Sequence, residues 1–270
     1  MKSRLLFTLL LGSGLAFISG CANVIIPTEV PEVRPGFVVG YLPHKDLPDS
    51  IALLPLPPAA GSAAFALDEE ANSKILALRG TPRWALAISD ANIMFPHAAD
   101  TFSCALSAAI TQQNTPHLYM LLRRTMMDAG DSTYDAKRKY RRTRPFVVNK
   151  HSTCTPAEEE IFKTDGSYPA GQSAIGWAWA LVLTEISPEQ SGAILARGWS
   201  FGQSRAICNA HWQSDVTEGR VMGAATVARL HADTVFRAEL EAAKVELAAV
   251  RSQGLKPVRD CKVEAEALAH

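Results

Sequence analysis

The stretch from Ala174 to Ile186, with Trp177, Trp179, Leu181, Val182 and Leu183, is apolar nearly all round when wound as a helix. A helix without a polar face must be covered on every side, so this stretch demands a shell of other helices. Helical periodicity supplies that shell, at roughly 63–80, 83–92, 98–112, 116–130, 133–141, 156–163, 171–186, 189–206 and 212–250, the last broken near Ala232. The small residues of Val221-Met222-Gly223-Ala224-Ala225 suit close helix contact. No stretch alternates over a strand's length, so the expected class is all-α, a helical bundle without a sheet. A chain of 270 residues with 47% hydrophobic content can bury one sizeable core.

The ends read differently. Lys2 and Arg4 precede an apolar run, Leu5 to Phe17, too short to span a bilayer comfortably. Ile18-Ser19-Gly20-Cys21 then looks like a bacterial lipobox, so residues 1–20 are expected to be a signal peptide and Cys21 a lipidated first residue. A plain signal peptide cut nearby is the alternative. Either way the expected location is the periplasm, with a lipid anchor to the outer membrane if Cys21 is modified. Residues 21–62 hold eight prolines and read as an extended arm or linker, 63–251 as the helical domain, and 252–270 as a loosely attached charged tail. Without the leader, 25 basic residues face 27 acidic ones, which gives no reason to expect nucleic acid as a partner. Cys104, Cys154, Cys208 and Cys261 are compatible with two disulfides in any of three pairings, or with free thiols. No Cys-x-x-Cys spacing suggests structural zinc.

Three clusters carry chemistry. Lys137 to Arg144 places six cations in eight positions. Such a run suits a solvated helix face or a nucleic-acid patch, and export argues against the second. Arg144-Pro145 disfavours helix at Arg144 and sets its guanidinium at a helix end. Gly166-Ser167-Tyr168-Pro169-Ala170-Gly171-Gln172 leads into the buried helix, whose first N–H groups suit an anion that Gly171 lets approach. In Ser204 to Asp215, a helical 211–215 would put His211 and Asp215 on one face, where the carboxylate fixes the ring tautomer and frees the other nitrogen as a nucleophile. Such a pair alone is more often structural than catalytic.

Together the clusters read Lys, six residues, Arg-Pro; then Pro-x-Gly-x; then Ser-Arg, five residues, His, three residues, Asp. This resembles the three-part signature of the type 2 phosphatidic acid phosphatase superfamily, which includes vanadium haloperoxidases. More narrowly it resembles the class A bacterial non-specific acid phosphatases, from roughly Ala52 to Ala248 and through Ala52-Leu53-Leu54-Pro55, Asp128-Ala129-Gly130-Asp131 and His211-Trp212-Gln213-Ser214-Asp215. The resemblance implies an all-α domain with its pocket at one end of the bundle, hydrolysing small phosphate monoesters without metal or cofactor. It implies that Lys137, Arg144, Arg205, Gly171 and the Ala170 position hold phosphate, that His211 forms a phosphohistidine, and that Asp215 orients it. Fixed cations around the three equatorial oxygens supply the positioning and charge stabilisation that phosphoryl transfer needs.

The chain departs from that family at its middle motif, Pro-Ser-Gly-His, here Pro169-Ala170-Gly171-Gln172. Losing the serine hydroxyl removes a hydrogen bond worth about 1–2 kcal/mol. Losing the histidine removes the general acid, worth roughly 10²–10⁴ in rate. Three readings follow: a substitute acid, a phosphatase restricted to good leaving groups, or a non-catalytic phosphate-binding lipoprotein. An active enzyme is expected, because five charged groups still converge on the site, and His97 is expected to replace the missing acid. A surface histidine without a role is the alternative for His97, and His151 is a weaker candidate. A vanadate-dependent haloperoxidase is the other activity this fold permits.

Overall fold

The computed structural model describes residues 24–27 and 29–269, so the leader and Cys21 lie outside the described residues. The helices are α1 (Ser50–Leu53), α2 (Ala63–Leu76), α3 (Pro82–Ala91), α4 (Ser103–Leu106), α5 (Pro116–Asp131), α6 (Tyr134–Tyr140) and α7 (Pro145–Asn149). They continue with α8 (Glu159–Thr164), α9 (Gly171–Ile186), α10 (Ser191–Ile207), α11 (Gln213–Leu230), α12 (Thr234–Ser252) and α13 (Cys261–Leu268). The protein is all-α, as its periodicity predicts.

Helix α9 is the central member and packs against α5, α10, α11 and α12. Ala178, Trp179, Ala180, Val182 and Leu183 along it are fully buried. The Trp179 indole N–H donates to the Leu122 carbonyl of α5 at 2.8 Å, which satisfies its one polar atom inside the core. Gly223 of α11 lies so close to the Ala174 backbone that any Cβ would collide with its carbonyl, and this accounts for the small-residue run. The break in the last long helical pattern falls at 231–233, where the Asp233 side chain accepts from Phe236 N and restarts the chain as α12.

Four expectations need correction. Over 98–112 a single helix does not form: a 3-10 turn, His97–Phe102, precedes α4, and Ser107 with φ +54° ends it. A small hairpin is present despite the expectation of no sheet: β1 (Glu32–Arg34) pairs antiparallel with β2 (Phe37–Val38). Pro35-Gly36 turns the chain between them, and Gly36 takes the φ of +82° that suits glycine at such a turn.

The third correction is the arm. It docks on the bundle rather than spacing it from an anchor, with Val38, Tyr41 and Leu54 buried. Tyr41 N and Leu42 N donate to the Asp128 carboxylate of α5 at 2.8 and 3.1 Å, and the Tyr41 hydroxyl reaches Glu239 of α12. Prolines thin out local backbone bonds, but they do not stop apolar side chains between them from finding a groove. The fourth is the tail, which forms α13 against α3. The Cys104–Cys261 disulfide ties it down, Ala267 is buried, and Glu264 pairs with Arg197 and Arg259.

Candidate active site

The cation run does not stay one helix. It forms α6 up to Tyr140, turns through Arg141 with φ +43°, and restarts as α7 with Arg144 at its N-cap and Pro145 in its first turn. Proline thus opens a helix here rather than closing one, because the N–H it lacks would be unpaired in the first turn anyway. The turn separates the cations by task. Lys137 and Arg144 face inward, while Arg142 becomes a buried structural partner.

Arg144 is held on all sides. Its Nε donates to the Phe162 and Asp165 carbonyls at 3.0 and 3.1 Å, and Nη2 meets the Asp165 carboxylate at 2.8 Å. Its Nη1 donates to Ala210 O at 2.9 Å and approaches His211 Nε2 at 2.9 Å. Lys137 Nζ donates to Gly166 O at 2.6 Å and lies 3.5 Å from Asp165 Oδ2. Arg205 projects from the last turn of α10 and is buried, yet its Nε and Nη1 find no partner among the described residues. The Phe162 ring lies beneath both guanidinium groups, 4.6 Å from Arg144 and 5.8 Å from Arg205.

His211 sits in the loop before α11, not on the helix. The turn ahead of it uses Asn209 with φ +59°, and the Cys154–Cys208 disulfide pins that turn to the loop after α7. His211 Nδ1 lies 2.7 Å from the Ser167 carbonyl and can only donate to it. Nε2 therefore carries the lone pair and faces Arg144. Burial first, then Arg144, Lys137 and Arg205, hold the His211 pKa well below the usual histidine range, so the ring stays neutral in acid. Burial, with Arg144 adding to it, pushes Lys137 down to about 8.

The expected helical His211–Asp215 hydrogen bond is replaced by a relay. Asp215 Oδ2 is 3.7 Å from Nδ1, beyond bonding range, and accepts instead from the Ser167 hydroxyl and from Trp212 N at 2.8 Å. Its other oxygen takes Arg142, whose Nη2 meets Asp68 of α2 at 2.7 Å. Asp68 also accepts from Ser214 N at 2.8 Å. Asp215 thus fixes the strand of chain whose carbonyl sets the imidazole. Helix α11 begins only at Gln213, because Asp215 is spent capping it.

A cavity of about 220 Å³ opens onto His211, Lys137, Arg144 and Arg205, and Gly171 and Gln172 at the start of α9 line it too. Ala170 is not among its walls: it is buried, and its N–H donates to Asp215 O at 2.9 Å. Gln172 Nε2 donates to Ala91 O at 2.9 Å, so the side chain is a fixed spacer without an acidic proton. The structure does not bring His97 to this cavity. Its Nε2 rests 3.0 Å from Ser89 O and 3.3 Å from Ser89 Oγ, back along α3. His151 is exposed and held only through its backbone. Among the described residues no group of three or more His, Cys, Asp or Glu side chains is placed to hold a metal ion, and no helix is long and apolar enough to cross a membrane.

Sequence reasoning missed Asp165, Arg142, Asp68 and the Ser167 carbonyl, along with Phe37 and Arg34, which reach the cavity from the arm. Only Arg142 carried a signal, hidden inside the cation run.

The PAP2 superfamily matches residues 115–238. A non-specific acid phosphatase of Providencia stuartii is 41% identical over 239 residues, 86% of this chain and 96% of that protein. One of Salmonella typhimurium is 43% identical over 195 residues, 72% of this chain and 78% of that protein. An acid phosphatase of Zymomonas mobilis is 37% identical over 220 residues, 81% of this chain and 83% of that protein.

Proposed function

The chain belongs to the PAP2 superfamily and, within it, to the non-specific acid phosphatases, and we propose that it cleaves phosphate monoesters without metal through a phosphoryl group carried on His211. The observation that supports this most is Arg205. A buried guanidinium with two unpaired nitrogens, beside Lys137 and Arg144, calls for an anion. The nucleophile that fits beside these cations is His211 Nε2, held unprotonated by burial and then by Arg144, Lys137 and Arg205.

In this reading the three cations take the phosphate oxygens, as does the first turn of α9 at Gly171. Nε2 attacks phosphorus, an N–P bond forms, and the ester P–O bond breaks, the leaving oxygen taking its proton from solvent because Gln172 has none to give. Nδ1 keeps its proton throughout, donating a hydrogen bond to Ser167 O. Water then attacks phosphorus and loses a proton to solvent, the N–P bond breaks, and phosphate leaves with the Nε2 lone pair restored. Fixed cations supply the charge stabilisation that a metal supplies elsewhere. Because the grip is on phosphate, many monoesters should be accepted. The low pKa of His211 supports work in acid, where a free imidazole would be protonated and useless as a nucleophile.

Export to the periplasm, with Cys21 as a lipid anchor, remains part of the proposal. Two disulfides formed by all four cysteines of the described domain support an oxidising compartment.

The test uses purified full chain in EDTA with phenyl phosphate. Steady phosphate release, with an acid-labile phosphoryl group trapped on the peptide holding His211, is expected. Activity that dies with EDTA and returns with metal, or a phosphoryl group on serine, would overturn the mechanism.

A further inference from the structure

Beyond the cradle, the cavity continues onto a wall of Phe37, Ile93, Met126, Met127 and Ile175. These residues come from β2, the segment after α3, α5 and α9, so four separate parts of the chain build one apolar surface next to the anion site. Phe37 is half-buried, and the Arg34 guanidinium lies 4.0 Å above its ring, so that face already serves as a stacking platform. Methionine thioethers adapt their shape and favour aromatic ring edges. Two polar neighbours next to this wall are already engaged: Thr133 Oγ1 donates to Gly130 O at 2.7 Å, and Gln172 Nε2 to Ala91 O.

Resting on the phosphatase reading above, we infer that this wall is the subsite for the organic half of the ester and that it favours aromatic alcohols over small aliphatic ones. A planar ring gains apolar contact against Phe37 and the two methionines. A hydroxyl-rich group would give up water against these five apolar side chains, none of which offers it a strong hydrogen-bond partner. Asp131 at the same cavity disfavours a second negative charge on the organic group. Phe37 and Arg34 thus act on selection and not on the bond being broken.

Benzyl phosphate and ethyl phosphate test this, because their leaving alcohols are similarly basic and differ in the ring. The wild-type kcat/KM is expected to favour the benzyl ester by at least about ten-fold. Phe37→Ala should lower the benzyl value about ten-fold further than the ethyl value, mainly through KM, and bring the two near parity. Phe37→Leu, which keeps apolar bulk if alanine loosens the hairpin, should leave an intermediate ratio. A wild-type ratio near one overturns the inference. So does an equal fall on both esters in Phe37→Ala, or a weakening of inhibition by inorganic phosphate as large as the benzyl loss, since either makes the arm a mere support for the cradle. Turnover of phenyl phosphate with none of either alkyl ester also overturns the inference, because leaving-group basicity then does the sorting. No phosphate release from any of the three sinks the phosphatase reading itself.

Discussion

The two halves of the cavity are built in opposite ways. The cradle is a set of charged groups pinned by backbone: Arg144 by four carbonyls and a carboxylate, Lys137 by Gly166 O, His211 by Ser167 O. The mouth is a short hairpin laid over the bundle and anchored through Asp128 and Tyr41. Charges that must act in a dry site are costly to leave mobile, so they are over-determined. A wall that only sorts organic groups needs apolar contact and tolerates looser attachment. On the proposed reading, chemistry and selectivity belong to separate parts of the cavity and can be changed one at a time.

The sharpest way to break that comparison is at the nucleophile. His211→Ala should lower turnover by more than roughly 10⁴-fold on aromatic and aliphatic esters alike, measured as phosphate release with no trapped phosphoryl group. Next comes Arg205→Lys, which keeps the charge but loses the fork of donors. It should cost roughly 10²-fold in kcat/KM on both ester classes and weaken inhibition by inorganic phosphate. A loss confined to one class would mean that Arg205 belongs to the mouth.

Asp215→Asn tests the relay. A carboxylate that itself sets a histidine tautomer is worth roughly 10⁴-fold. With Ser167 O holding Nδ1, the loss should instead be on the order of ten- to a hundred-fold, as for groups that orient a ligand at one remove. Ser167→Ala, which keeps the carbonyl and removes only the hydroxyl that Asp215 holds, should reproduce part of it. A 10⁴-fold loss in Asp215→Asn with no effect of Ser167→Ala would return Asp215 to direct contact with the ring.

The smallest effects are in pH. Lys137 loses its proton near 8, so KM for any ester should rise above about pH 8, and Lys137→Arg should move that rise upward. The mouth responds in the other sense. Burial, only partly offset by the Tyr41 and Leu42 N–H groups, raises Asp128 from 3.8 to about 7. Its folded pKa exceeds its unfolded one, so its contribution to stability is fully present below about 4 and is lost as pH rises through about 7. Thermal unfolding should therefore occur at a higher temperature at pH 5 than at pH 8, and Asp128→Asn should flatten that difference.

The long helices were legible because burial repeats with the helix period: the apolar girth of Ala174–Ile186 and the breaks at Asp233 and Ser62 are local signals. Lys137, Arg144, Arg205 and His211 were legible through the family resemblance that their motifs carry together, and they line one cavity. Period and composition failed at the arm and the tail, where Val38, Tyr41 and Ala267 are buried by partners far along the chain. They failed too at His97, whose position in the chain did not fix which way its ring turns.

A bundle around one all-apolar helix could be read from the chain alone, since burial repeats every few residues, whereas the three cations and the imidazole of the cradle were named by their family resemblance. It took the folded chain to place Asp68 on Arg142, a backbone carbonyl on the imidazole, and Phe37 and Met126 in the lining of one cavity. Those choices join groups from 44 to 89 positions apart or rest on main-chain atoms that every residue shares, and no local pattern of side chains records either.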